Sequence, residues 1–285
     1  NMLKEGLDIQ VLKKLGISAK GEPDLEKWKS FLYKLKNPLT EVNIGLVGKY
    51  VELKDAYKSI SEAFIHAGAA TQCKVKLKWI HSEKIEDNPG MIEEELKGLN
   101  GILVAPGFGT RGIEGKIMAV RYARENNIPF LGICLGMQCA VIEFARNVLG
   151  YKDAHSVEMM ASTKHPVIDM MEEQKHLTNM GGTMRLGAYP CKLKAGTKIM
   201  EAYQKELISE RHRHRYEFNN AYLEEFEKAG MIATGVNPDT NLVEVVEIPS
   251  HPYFVGVQYH PEYRSTVEEP SPLFVSFVEA ANKKL

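Results

Sequence analysis

The sequence predicts an α/β protein with a mostly parallel central sheet flanked by helices and smaller antiparallel additions. Three observations carry this expectation. From Val42 onward, short apolar runs alternate with segments of helical spacing, and strands that alternate with helices pair in parallel with helices on both faces. Gly132-Ile133-Cys134-Leu135-Gly136 lies between an apolar run and a helical pattern, a strand–turn–helix junction of the kind where such sheets bind ligands. Beyond residue 190 the rhythm changes to short strands with few helices between them.

The elements follow in order. Residues 1–40 differ from the rest: 7–15 and 25–35 have amphipathic helical spacing, separated by Gly21-Glu22-Pro23. Asp24 is placed to cap the second, and Asn37-Pro38 ends it. This stretch reads as a pair of connector helices, and 41–285 as one domain. Apolar runs at 42–47 and 101–105 predict strands, as does the alternation of lysine with apolar residues at 74–80. Helical spacing covers 56–70, 91–97 and 112–126, and 129–133 is the strand that feeds Cys134. A helix runs from Met137 to Leu149. Residues 150–190 are polar, rich in methionine and weakly periodic, which suits a lid or insertion. Strands follow at 207–216, 231–236, 243–248 and 253–259, with helices near 221–229 and 273–281.

Composition narrows the class. A net charge of -1 over 285 residues gives no electrostatic case for nucleic acid or a membrane surface. No apolar run reaches the roughly 20 residues needed to cross a bilayer, and the N-terminus has acidic residues and no apolar segment of a signal peptide. Four cysteines (Cys73, Cys134, Cys139, Cys191) without a CxxC pair suit a reducing cytoplasm and leave Cys134 a free thiol.

The chemistry centres on Cys134. Its setting has the form of a nucleophile elbow with sulfur in place of oxygen. Glycines on both sides allow a tight turn, and the helix that follows favours a thiolate at its N-terminus. A small residue filling a strand–helix junction is the plainer alternative. The second feature is Val257-Gln258-Tyr259-His260-Pro261-Glu262. If the backbone there is extended, His260 and Glu262 point the same way, so His260 can take the thiol proton while Glu262 orients the ring. A surface turn is the alternative. Gly107, in Pro106-Gly107-Phe108-Gly109 after a strand, is placed to give an N–H to an oxyanion, with Leu135 N–H as the second donor; an ordinary turn glycine is as good a reading from spacing alone. Arg211-His212-Arg213-His214-Arg215 alternates with period two, arginines on one face and histidines on the other. No third ligand at metal spacing accompanies the histidines, so no metal is assigned. An arginine that binds carboxylate or phosphate is favoured over metal, and a solvated charged edge is the alternative. Gly45-Leu46-Val47-Gly48-Lys49-Tyr50 fails as a phosphate loop because Tyr50 stands where Ser or Thr is required. Cys139 reads as buried packing, and Cys73 and Cys191 have no catalytic context.

Gly132-Ile133-Cys134-Leu135-Gly136-Met137-Gln138 with a later His260-Pro261-Glu262 resembles the class I (triad) glutamine amidotransferases. Three further stretches are similar to the glutaminase domain of the CTP synthase family: Val47-Gly48-Lys49-Tyr50-Val51-Glu52-Leu53-Lys54-Asp55-Ala56-Tyr57-Lys58-Ser59, Gly181-Gly182-Thr183-Met184-Arg185-Leu186-Gly187, and Arg211 to Glu217. The resemblance covers about residues 40–285. It implies Cys134 as nucleophile with His260 and Glu262, and Gly107 and Leu135 as the oxyanion hole. It also implies a glutamine-binding set of Gly107, Leu135, Gly136, Met137, Gln138, Glu158 and Arg215, with Arg215 on the α-carboxylate. It implies ammonia supply to a synthetase domain that binds ATP, Mg²⁺ and UTP and is absent here, GTP as activator, and a homotetrameric full-length protein. One departure stands out: the family's Pro-Gly-Gly-Phe-Gly is Ala105-Pro106-Gly107-Phe108-Gly109 in this chain. Two rivals stay open: another triad glutaminase, such as a GMP synthetase subunit or a γ-glutamyl hydrolase, and a non-catalytic regulatory module on the same fold.

Overall fold

A computed structural model describes residues 4–18, 21–170 and 184–284. Helices α1 (Leu7–Leu15) and α2 (Glu26–Lys36) contain no buried residue. Glycine closes both ends of α1, Gly6 at φ 62° and Gly16 at φ 66°. At α2 the cap position is Leu25, one residue later than Asp24. The Asp24 carboxylate still accepts the Glu26 N–H at 3.0 Å, so it serves the same helix end from just outside.

The sheet begins at β1 (Thr40–Gly48), whose Val42, Ile44, Leu46 and Val47 are fully buried. A run apolar on both faces is the mark of a strand covered on both sides. Then come α3 (Lys58–Ala70), β2 (Cys73–His81), the short α4 (Ser82–Asp87) and α5 (Ile92–Leu96), β3 (Gly101–Val104), α6 (Ile113–Glu125), β4 (Phe130–Ile133) and α7 (Leu135–Asn147). After β5 (His155–Ser156) and β6 (Pro166–Met170), the chain continues with β7 (Arg185–Leu193), α8 (Lys198–Tyr203), β8 (Leu207–His214), β9 (Tyr216–Phe218), α9 (Leu223–Ala229), β10 (Ile232–Val236), β11 (Val243–Glu247), β12 (Phe254–Val257) and α10 (Pro272–Lys283).

Among the described residues, nine strands form one sheet in the order β2-β1-β3-β4-β12-β11-β10-β7-β8. The half from β2 to β12 is parallel, and from β12 outward every pairing is antiparallel. β5, β6 and β9 make a second, three-stranded sheet. One apolar cluster fills each face of the main sheet, one built on α6 and α7, the other on α3 and α10. Phe130 stacks on Phe254 across the β4–β12 pair at 4.4 Å between ring centres, and Phe64 meets Phe274 edge-on at 5.0 Å.

Two departures from the sequence reading are local. Residues 150–190 are not one irregular insertion: 155–156 and 166–170 are strands of the small sheet, and β7 begins at Arg185. The rest of that stretch, 171–183, lies outside the described residues, with most of the Gly181-Gly182-Thr183-Met184 motif. The strand over 253–259 is shorter, ending at Val257, because Pro261 starts a 3₁₀ turn at Pro261–Arg264. No helix among the described residues is long and apolar enough to cross a membrane.

Candidate active site

β4 ends at Ile133 and α7 starts at Leu135, so Cys134 makes the whole turn. Its φ of 53° with ψ of −105° is a conformation that costs a non-glycine residue about 1–3 kcal/mol and persists only where its surroundings hold it. They do so here: Cys134 N–H donates to the Val257 carbonyl of β12 at 2.7 Å, and its carbonyl accepts the Gln138 N–H at 3.1 Å. The flanking glycines supply room. A Cβ on Gly132 would lie 2.7 Å from the Gly136 carbonyl carbon, and one on Gly136 would lie 2.1 Å from the Val104 carbonyl oxygen. Close approach lets α7 press its first turn against β3 and β4, with its positive end at the sulfur. As the first residue of that helix, Leu135 has an N–H with no carbonyl partner inside it.

His260 and Glu262 meet the elbow from the adjacent strand. β12 lies beside β4 in parallel register, Val257 opposite Ile133, so both chains leave the sheet at the same edge. The pair is built by a turn, not by the extended backbone expected from sequence. Pro261, the first residue of the 3₁₀ turn, fixes φ and brings Glu262 back toward the ring. His260 Nδ1 is 2.8 Å from Glu262 Oε1, and both residues are buried. The ring also stacks on Tyr263, and the His260 N–H donates to the Arg211 carbonyl at 2.8 Å. Nε2 is buried with no close hydrogen-bond partner among the described residues, which leaves it available to the sulfur. Burial opposes a charged ring, but the neighbouring Cys134 and Glu262 outweigh it and raise the His260 pKa to about 10. This arrangement favours a protonated His260 ring beside the Cys134 sulfur.

A small pocket, partly open to solvent, is lined by Gly107, Phe108, Cys134, Gln138, Glu158, His214, Arg215 and Tyr216. It gathers five of the residues singled out in the sequence. Glu158 Oε1 accepts the Gly109 N–H at 3.4 Å. The Gln138 amide is already placed, donating to the Tyr216 carbonyl at 2.8 Å. Leu135, Gly136 and Met137 do not line the pocket with side chains: Leu135 and Met137 are buried, and Met137 packs under Gly256 of β12. What this stretch presents is backbone. A larger, open groove lies between α8 and α10 and is lined by Lys198, Glu201, Tyr253, Glu279 and Lys283 among others. It holds no cysteine or histidine.

The alternation at 207–214 reads out as expected: His212 and His214 point inward, Arg211 and Arg213 outward. The two imidazoles face each other at 3.0 Å, and burial with the nearby Arg185 drives their pKa values down to about 2 and about 3. Both are neutral, and His214 also lines the pocket. Among the described residues, no group of three or more His, Cys, Asp and Glu side chains has metal-holding geometry.

Three residues were missed from sequence. Gln258 points its amide at the Cys134 sulfur, 3.6 Å away; its place next to the histidine motif was the available signal. Lys49, set aside with the failed phosphate loop, donates to the Phe108 and Gly109 carbonyls at 2.6 and 2.8 Å. Lys116, fully buried in α6, donates to the Ala105 carbonyl at 2.6 Å; nothing in its helical spacing marks it.

The pattern of the glutamine amidotransferase class-I family matches residues 52–280. This chain belongs to that family. A solved structure, the Trypanosoma brucei CTPS glutaminase domain with bound acivicin, superposes with a TM-score of 0.80 at 40% identity, covering 86% of this chain and 95% of that one. CTP synthase of Cytophaga hutchinsonii is 67% identical over 99% of this chain and 52% of its own length. That of Flavobacterium johnsoniae is 63% identical over 98% and 52%. Within the class I amidotransferases the chain is therefore a glutaminase domain of the CTP synthase type. It spans about half the length of the curated relatives it matches.

Proposed function

We propose that the domain hydrolyses glutamine through a thioester on Cys134. The single observation that carries this is a buried cysteine at a positive-φ elbow, in a pocket with Gln138, Glu158 and Arg215, beside a histidine hydrogen-bonded to a buried glutamate. The Cys134 thiolate attacks the glutamine side-chain carbonyl. The oxygen takes the negative charge between the Gly107 and Leu135 N–H groups. The carbon–nitrogen bond breaks and His260, held by Glu262, gives its proton to the departing ammonia. Water, activated by the same ring, attacks the thioester and frees glutamate and the thiolate. Gln138, Glu158 and Arg215 hold the amino-acid end of the substrate, with Arg215 opposite the carboxylate.

The relatives' length and name extend the proposal. The ammonia passes to a synthetase domain that uses ATP and Mg²⁺ to aminate UTP to CTP, GTP activates the coupled reaction, and the full-length protein is a homotetramer. The test of the core step is glutamate release from glutamine by the wild-type chain and by Cys134→Ala. Release by the wild type that the substitution abolishes supports the reading; equal release by both overturns it.

A further inference from the structure

We propose that Lys49 and Lys116 are positioning residues that clamp the 105–109 loop, so that its Gly107 N–H is set for the oxyanion before glutamine arrives. The inference rests on the glutaminase reading and adds two residues to it.

The loop leaves β3 after Val104 and carries the proposed donor at Gly107. Its shape is not imposed by Gly107: a Cβ there would meet its nearest atom, Leu135 Cδ2, at an ordinary 3.4 Å. Its carbonyls are held instead by two ammonium groups on different elements. Lys116 reaches from α6 to the Ala105 oxygen at 2.6 Å. Lys49, just past the end of β1, reaches the Phe108 and Gly109 oxygens at 2.6 and 2.8 Å. The clamp therefore grips the chain on both sides of Gly107. A peptide unit is planar, so fixing the Phe108 carbonyl fixes the Gly109 N–H, which points to Glu158. With Pro106 restricting φ on one side and the 108–109 plane pinned on the other, the Pro106–Gly107 peptide has little freedom left.

Burial argues that this placement serves a purpose beyond packing. Lys116 is fully buried and Lys49 nearly so. No carboxylate lies close enough to act on Lys116, while Glu158 and Glu83 partly offset the desolvation of Lys49. Burying an ammonium without an anionic partner costs several kcal/mol, and burial pulls the Lys116 pKa down to about 8. The Lys116 ammonium is 3.6 Å from the position of a Gly107 Cβ. Both positive charges thus stand behind the loop that faces the developing anion, where fixed charge stabilises a transition state.

The test compares Lys49→Met, Lys116→Met and Lys49→Arg with wild type by three measurements on the chain. These are kcat and KM for glutamate release, the rate of Cys134 alkylation by iodoacetamide, and thermal stability. Alkylation needs the thiolate but forms no oxyanion, so it separates loop positioning from general damage. Each Met variant should lose about 10- to 100-fold in kcat, the scale of a misplaced donor, with KM within about twofold. Alkylation should stay within about twofold, and Lys49→Arg should recover most of the loss because a guanidinium can also bridge two carbonyls. Unchanged kcat in Lys49→Met, or a parallel loss of alkylation in both Met variants, overturns the clamp. If Lys116→Met does not fold, Lys49→Met and its arginine rescue decide the matter. Failure of the wild type itself to release glutamate overturns the underlying reading instead, so the two outcomes are distinct.

Discussion

Gly136→Ala is the sharpest test of how the elbow is built. The added methyl carbon would sit 2.1 Å from the Val104 carbonyl oxygen, against a normal carbon–oxygen contact of about 3.4 Å. Neither group can swing aside: one is backbone of β3, the other the first turn of α7. The helix must retreat by roughly 1 Å, a strain that typically costs about 1–3 kcal/mol. For a chain of this size that corresponds to a Tm loss of roughly 2–5 °C. The same movement carries the Leu135 N–H away from the oxyanion position, and a 1 Å error near the reacting atoms costs on the order of 100-fold in kcat. Thermal unfolding and glutamate release measure the two effects. Gly107→Ala is the control, since its Cβ meets nothing closer than 3.4 Å and its φ is not positive; it should change stability by less than about 0.5 kcal/mol. A Gly136→Ala variant with unchanged Tm and kcat would refute the argument. A lower Tm with unchanged kcat would show that the seat of α7 does not set the donor.

Glu262→Gln should lower kcat by roughly 100- to 10,000-fold with folding intact, because the amide no longer holds the ring in its charged form; steady-state kinetics and circular dichroism check this together. The His260 pKa is raised in the folded protein, from 6.5 to about 10. Its stabilisation is therefore complete below about pH 6.5 and lost as pH rises through about 10, and Glu262→Gln should flatten that alkaline decline in a urea-unfolding series. Glu114 shows the opposite sign: His155 and Arg146 hold its pKa down to about 2 from 4.5. Its contribution is present above about pH 4.5 and lost as pH falls toward 2, so Glu114→Gln should be less acid-sensitive than wild type. Burial raises the pKa of Cys73, Cys139 and Cys191. Brief iodoacetamide treatment near neutral pH should then modify Cys134 first, as peptide mass spectrometry would report, and preferential labelling of another cysteine would contradict this.

The fold was legible where one-dimensional pattern determines structure. The apolar run of β1 and the lysine alternation of β2 gave strands in the right places, and Gly132 and Gly136 marked the elbow. What the sequence hid depends on partners distant in the chain. β7 is a hydrogen-bonded neighbour of β8 and β10, but its own residues, Arg185 to Leu193, alternate too weakly to announce it. The site was legible as residue types in motifs: Cys134, His260 and Glu262 are close together, though a proline-led turn replaces the extended backbone. Lys49 and Lys116 were illegible because a lysine that reaches a carbonyl inside the protein looks, in sequence, like any lysine on a surface.

The parallel pairing of β4 with β12 also sets the order in which reactivity can arise. Gln258 and Cys134, in contact through the sulfur, are 124 positions apart in the chain, and His260 lies two residues beyond Gln258. During synthesis the cysteine emerges long before the base that sharpens it. Until β12 docks against β4, Cys134 lacks both Gln258 and His260 beside its sulfur. Alkylation speed at that one sulfur therefore reports completion of the sheet's last central strand. A pulse of alkylating reagent during refolding would time that step without any added label.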